Sequence, residues 1–278
     1  MIFDDRPCSL GEGPLWHPER AELFWFDINA RTLHSKGKSW TFEHTVSAAG
    51  WVDEGTLLVA SDIGLHRFDI ASGTLDAPLV ALEADNTATR SNDGRADPWG
   101  GFWIGTMGFG AEPGAGAIYR YYKGTLSTVA PNITISNAIC FTPDRRFAHY
   151  TDTVTQQIIR VALNADTGAP DGAAEIWADL SGTDLNPDGA VVDAAGTLWV
   201  ACWGAGAVVA FDPQGNEIAR RSVPGLHSTC PAFGGPDLRD LYVTSATDGI
   251  ETPLGDNGKT FCLKGAGQGQ AEHQVILG

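Results

Sequence analysis

One pattern recurs six times along the 278 residues. It constrains the fold more than any bulk property, because short strands repeated at a near-fixed spacing fit few architectures. Each copy has a turn of Asp, Gly or Pro, a short β-rich strand, a small polar break and a second strand. The strand pairs fall at 23–28 and 32–34, 56–60 and 64–69, 102–106 and 117–121, 147–151 and 157–161, 197–201 and 207–212, and 241–245 and 259–263. Taking Phe24, Leu58, Trp103, Ala148, Trp199 and Tyr242 as markers, the intervals are 34, 45, 45, 51 and 43 residues. Periods of roughly 40–50 residues built from short strands indicate propeller blades. The spacing therefore predicts an all-β chain folded as a six-bladed β-propeller, with residues 1–278 as a single domain. A sandwich or barrel does not account for six copies at this period. No stretch shows a sustained helical period with caps. A propeller must close its ring, and the segments 2–9 and 274–277 are expected to pair as strands of one shared blade, protecting its edges.

Composition narrows the partners. Asp and Glu number 34 against 18 Lys and Arg, a formal charge of −16. A polyphosphate partner needs clustered cations, and no such run exists, so nucleic acid is excluded as an expected partner. Apolar runs are too short to span a bilayer, and Met1 to Arg6 lacks the basic and apolar regions of a signal peptide. The five Cys (Cys8, Cys140, Cys202, Cys230 and Cys262) are odd in number, far apart and without a Cys-x-x-Cys pair. They read as buried thiols of a cytoplasmic protein. A monomer is expected, since no apolar interface helix is evident.

Loops at one mouth of a propeller channel carry its chemistry. Four segments join Gly or Pro to oxygen-bearing side chains: Leu10-Gly11-Glu12-Gly13-Pro14-Leu15-Trp16, Arg90-Ser91-Asn92-Asp93-Gly94, Ile135-Ser136-Asn137-Ala138-Ile139 and Asn186-Pro187-Asp188-Gly189-Ala190. Each lies about 8–13 residues before the marker of its own repeat, so rotational symmetry brings all four to one end of the channel. Singly, Asp-Gly and Asn-Asp-Gly are ordinary turn sequences; four in register are far more specific. Glu12, Asn137 and Asp188 offer two carboxylates and an amide carbonyl. Hard oxygen donors suit Ca2+, Mg2+ or Mn2+, and three protein ligands leave positions open for water and substrate. The expected central metal site follows from these three residues.

The same segments, with Gly105-Thr106-Met107, Tyr150-Thr151-Asp152-Thr153 and Phe233-Gly234-Gly235-Pro236-Asp237, resemble the regucalcin and gluconolactonase family, also called senescence marker protein. The resemblance covers nearly the whole chain. It implies a six-bladed propeller with one divalent ion, Ca2+ foremost and Mn2+, Fe2+, Zn2+ or Mg2+ as alternatives. It implies Glu12, Asn137 and Asp188 as ligands, Arg90 and Asn92 as substrate contacts, and hydrolysis of an aldonolactone such as glucono-, xylono- or arabinonolactone. The chain departs from some relatives after the Thr-Met pair, where a carboxylate that helps hold the sugar is replaced by Gly108-Phe109-Gly110, with Glu112 the nearest acid.

On this basis Asp188 is the expected general base for water attack on a metal-polarised lactone carbonyl, with attack by metal-bound hydroxide and Asp188 only relaying the proton as the alternative. Trp203 is the aromatic most expected to line the sugar pocket. Trp16, Trp103 and Trp199 read as inter-blade packing. His149 reads as a packed or hydrogen-bonded core residue. Asp152 has two readings, a group beside the metal or a strand-end turn residue. No Gly-x-Ser-x-Gly elbow is present, which disfavours a serine hydrolase. Two further readings stay open: a phosphotriesterase-like propeller hydrolase, and a non-catalytic calcium-binding propeller.

Overall fold

The computed structural model describes residues 1–253 and 255–278. Among them, the strands form six four-stranded antiparallel sheets. Blade 1 comprises Gly11–His17, Glu22–Asp27, Thr32–Ser35 and Lys38–Thr41; blade 2, Val46–Asp53, Thr56–Ser61, Gly64–Asp69 and Thr74–Ala81. Blade 3 comprises Thr89–Ala96, Phe102–Gly108, Gly116–Tyr122 and Thr125–Ile133; blade 4, Ser136–Phe141, Phe147–Asp152, Gln157–Ala162 and Glu175–Asp179. Blade 5 comprises Asn186–Val192, Leu198–Trp203, Ala207–Phe211 and Glu217–Ser222. Blade 6 comprises His227–Gly234, Asp240–Ala246 and Thr260–Leu263, and takes Ile2–Asp4 as its outermost strand. The six-bladed propeller expected from the repeat is the observed fold. The two strands read in each copy are the second and third of a blade. The oxygen-bearing segments are themselves the innermost strands.

Inner strands converge on the axis and leave little room for side chains. Ala48, Ala138, Ala190 and Ala232 are fully buried there, and a Cβ on Gly189 would meet the Cys230 sulfur at 2.3 Å. Aromatic residues seal the gaps between blades. Trp16 of blade 1 stacks on Tyr242 of blade 6 (5.5 Å), Trp103 meets Phe141 edge-on (5.4 Å), and Trp199 meets Phe233 edge-on (6.0 Å). These three Trp are the inter-blade packing expected of them. The only helix among the described residues is a single 3-10 turn at Thr153–Thr155, and no helix there is long and apolar enough to cross a membrane.

Ring closure is half as expected. Ile2 pairs with Phe261 and Asp4 with Thr260, so the N-terminus completes blade 6. The C-terminal segment pairs with no strand. It crosses the far mouth of the channel, with Ala194 N–H donating to Gln268 O, Ile276 N–H to Gly100 O and Val275 N–H to Trp51 O. The apolar run at 275–277 suggests a strand, but Val275 is buried (1% exposed) against Ala48, Leu58 and Phe102 of blades 2 and 3. Burial of its side chain between blades, not ladder pairing, fixes this segment. Glu272 carries an ion pair to Arg95 on the axis, and Arg95 donates in turn to the carbonyls of Ile139, Ala190 and Pro231.

Candidate functional site

Every inner strand contains at least one residue too many for its partner. In blade 1 the ladder slips between Glu12/Phe26 and Leu15/Phe24; in blade 4, between Asn137/Thr151 and Cys140/His149. Blades 2, 3, 5 and 6 slip at the matching place. An extra residue re-aims side chains that alternation would turn away from the axis. Two local solutions result. In blades 1 and 4 the last paired residue, Glu12 or Asn137, faces the channel and is followed by a left-handed residue, Gly13 (φ 52°) or Ala138 (φ 56°). In blades 3 and 5 the first slipped residue, Asn92 or Asp188, faces it.

Carboxylates at the ends of second strands fix the approach. Asp27 accepts from the amides of Ser9 (2.8 Å) and Leu10 (3.1 Å), just ahead of Glu12. Asp152 accepts from those of Thr134 (2.8 Å) and Ile135 (3.0 Å), just ahead of Asn137. Asp152 is thus the strand-end residue of its two readings.

At this end of the channel opens a cavity of about 470 Å3, lined by Glu12, Arg90, Asn92, Asn137, Asp188 and Trp203. All six candidate residues from the sequence therefore border one space. Thr153, Asp248, Met107, Phe109 and Ile135 also line it, with Leu10, Gly110 and Ala111. The candidate polar groups form a chain. Arg90 Nη1 donates to Asn92 Oδ1 (2.7 Å), and Asn92 Nδ2 donates to Asn137 Oδ1 (3.0 Å) and to Ser136 O (2.9 Å). Asn137 Nδ2 donates to Thr153 Oγ1 (2.9 Å), whose own proton goes to Pro187 O (2.8 Å). Thr153 thereby fixes the Asn137 amide with its oxygen on the Asn92 side, one lone pair still free.

Glu12 and Asp188 are buried (6% and 4% exposed), and among the described residues no cation lies within ion-pair distance of either. Burial raises both carboxyl pKa values, and the charge of Asp93 adds to the shift in both. Glu12 raises Asp188 further. Burial likewise lifts Asp93 to about 6 and lowers Arg90 to about 10, against the pull of Glu12, Asp248 and Asp188. Two buried acids, Glu12 and Asp188, beside one buried guanidinium, Arg90, leave an excess of negative charge, which a cation would relieve. Among the described residues no cluster of three His, Cys, Asp or Glu has metal-holding geometry; beside the two carboxylates, Asn137 adds an amide oxygen to the cavity wall. The nearby thiols do not compete: burial holds Cys230 well above its ordinary pKa. The donor set is all oxygen and fits a hard divalent ion.

Trp203 reaches the cavity stacked on His227 (4.1 Å). His149 does not approach it: its ring lies against Trp177 (4.7 Å) and both ring nitrogens lack partners. Glu112 is also absent from the wall. Its carboxylate folds back to accept the Gly110 amide (3.1 Å). Thr153 and Asp248 carry no assigned role from the sequence. Thr153 stands in the quoted Tyr150-Thr151-Asp152-Thr153 run, bonded to Asn137 within blade 4 and to Pro187 O across to blade 5.

Comparison with known proteins places the chain among relatives of the same fold. Residues 10–247 match the model of the SMP-30/gluconolactonase/LRE-like region. The chain is 35% identical to the pentonolactonase XacC of Haloferax volcanii, over 96% of this chain and 95% of that one. It is 34% identical to the L-arabinolactonase of Azospirillum brasilense, over 90% and 85% respectively. A crystal structure from Agrobacterium tumefaciens, described as a calcium-binding protein, regucalcin, superposes with a TM-score of 0.96 at 41% identity, covering 99% of this chain and 97% of that one.

Proposed function

The chain belongs to the SMP-30/gluconolactonase/LRE-like family, and from that premise we propose that it is a hydrolase opening a sugar lactone to the sugar acid, with one divalent cation held by Glu12, Asn137 and Asp188. The observation that carries the proposal is the meeting of these three donors with Arg90 and Asn92 around one cavity. The names of the pentonolactonase and arabinolactonase relatives support an aldonolactone substrate. The calcium-binding relative supports Ca2+ as the ion. We also propose that residues 1–278 act as one domain and as a monomer in the cytoplasm, a placement supported by five free, buried thiols.

When bound, a divalent ion supplies Lewis acidity to a carbonyl oxygen at the site. Asp188 is the general base: it takes a proton from water as the water attacks the lactone carbonyl carbon, and returns it to the ring oxygen as the acyl C–O bond breaks. Arg90 has donors beyond those bonded to Ser91 O and Asn92, and these fork onto ring hydroxyls or the product carboxylate. Asn92 holds Asn137 and Arg90 in one register. Trp203 forms an apolar wall for the sugar ring.

A pH-indicator assay on a panel of aldonolactones, with and without EDTA, tests the proposal. Acid release that EDTA abolishes and Ca2+ restores is the expected result. Metal binding without turnover of any lactone would replace it with a non-catalytic binding role. Turnover of phosphotriesters alone would move it to a different ester class.

A further inference from the structure

The cavity wall is chemically divided. On one side stand the buried carboxylates, Arg90 and the amide chain. On the other, Met107, Phe109 and Ile135 form a continuous apolar surface, since Met107 and Ile135 bridge blades 3 and 4 backbone to backbone. Phe109 is 53% exposed and stands at the cavity rim. The three loop amides at the cavity rim, those of Phe109, Gly110 and Ala111, are already bonded. Phe109 N–H is bonded to Ala88 O, and Ala111 N–H to Gly108 O. Gly110 N–H is bonded to Glu112. That last bond also removes from the cavity the acid nearest to this wall.

A sugar lactone seated with its carbonyl at the carboxylates has one part that projects beyond the ring, its exocyclic carbon chain. A terminal hydroxyl placed against Met107 and Phe109 would leave water without a side-chain partner or N–H donor in return. A methyl group there would bury apolar surface instead. Building on the lactonase function proposed above, we infer that the site prefers terminally deoxygenated aldonolactones, those whose exocyclic chain ends in methyl rather than hydroxymethyl. Phe109 is the specificity-determining residue.

Matched pairs that differ by one oxygen test this directly. L-rhamnono-1,4-lactone is compared with L-mannono-1,4-lactone, and L-fucono-1,4-lactone with L-galactono-1,4-lactone, in the Ca2+-supplemented full-length enzyme. An apolar surface discriminates against an added hydroxyl by about 10- to 100-fold. The expected result is therefore a kcat/KM at least about tenfold higher for the deoxy member of any pair turned over, with the ratio collapsing towards one in Phe109→Asn. Equal or higher kcat/KM for the hydroxymethyl member, or a ratio that Phe109→Asn leaves intact, overturns the inference. Turnover of gluconolactone with neither pair accepted also overturns it but spares the lactonase proposal. No acid release from any lactone removes both.

Discussion

His149 offers a prediction in which packing and protonation separate. The ring is 3% exposed, lies edge-on to Trp177, and leaves both nitrogens without a hydrogen bond. Burial first, and then the charge of the cross-strand Arg160, lowers its pKa from 6.5 to about 3. A base with a depressed pKa stays neutral in the folded chain while the unfolded chain takes up a proton below pH 6.5. Stability present above that pH is therefore lost as the pH falls towards 3. At pH 5, 1.5 units below the unfolded value, the loss is about 2 kcal/mol at about 1.4 kcal/mol per unit. His149→Leu removes this term. It also forfeits an aromatic contact worth about 0.5–1.5 kcal/mol, and relieves two orphaned polar atoms at about 1–3 kcal/mol each. Those two effects do not change with pH, so the pH dependence isolates protonation. Thermal melts in EDTA at pH 7.5 and 5.0, followed by circular dichroism, measure it. The parent is expected to lose about 4 °C or more of Tm relative to the variant between the two conditions. Melting temperatures that fall in parallel would refute the reasoning.

Three further outcomes follow from the geometry. Glu272→Gln leaves Arg95 charged and unpaired on the channel axis, and is expected to cost about 3–5 kcal/mol in thermal or urea unfolding; a loss below about 1 kcal/mol would show that the carbonyls of Ile139, Ala190 and Pro231 satisfy Arg95 without it. Thr153→Val frees the Asn137 amide to rotate and is expected to weaken Ca2+ binding by about 10- to 100-fold in calorimetric titration, with an unchanged circular dichroism spectrum; an unchanged titration curve would remove Thr153 from the support of the ligand set. Gly13→Ala forces a Cβ to within 2.3 Å of Ser47 O at a φ of 52° and is expected to destabilise the fold by at least about 2 kcal/mol, measured by thermal melting; a neutral effect would mean that blade 1 can shift its slipped strand without penalty.

The parts of this molecule that the sequence reveals are those where burial imposes a pattern. Second strands such as Glu22–Asp27 and Thr56–Ser61 are almost wholly buried, so their apolar, β-branched and aromatic content repeats at the blade period. The outermost strands carry no such signal. Thr74–Ala81 and Glu217–Ser222 are largely exposed, and the first contains Pro78, which an edge strand tolerates. Inner strands are obscured for a different reason. Gly13-Pro14, Asp93-Gly94 and Asp188-Gly189 look like turn punctuation, yet they sit at the extra residue of each ladder, where the chain bends without turning back. That single displacement explains how the candidate donors come to border one cavity although their segments read as turns. Equivalent segments converge because the blades are equivalent. The side chains that face the axis differ by one position because Gly13 and Ala138 take up a left-handed conformation that Asn92 and Asp188 do not need. A sixfold scaffold thus presents donors of two parities at one mouth. Thr153 and Asp248 lie in connections with no period to expose them. Thr153 meets Asn137 within blade 4, but its own bond to Pro187 O exists only once blades 4 and 5 are side by side.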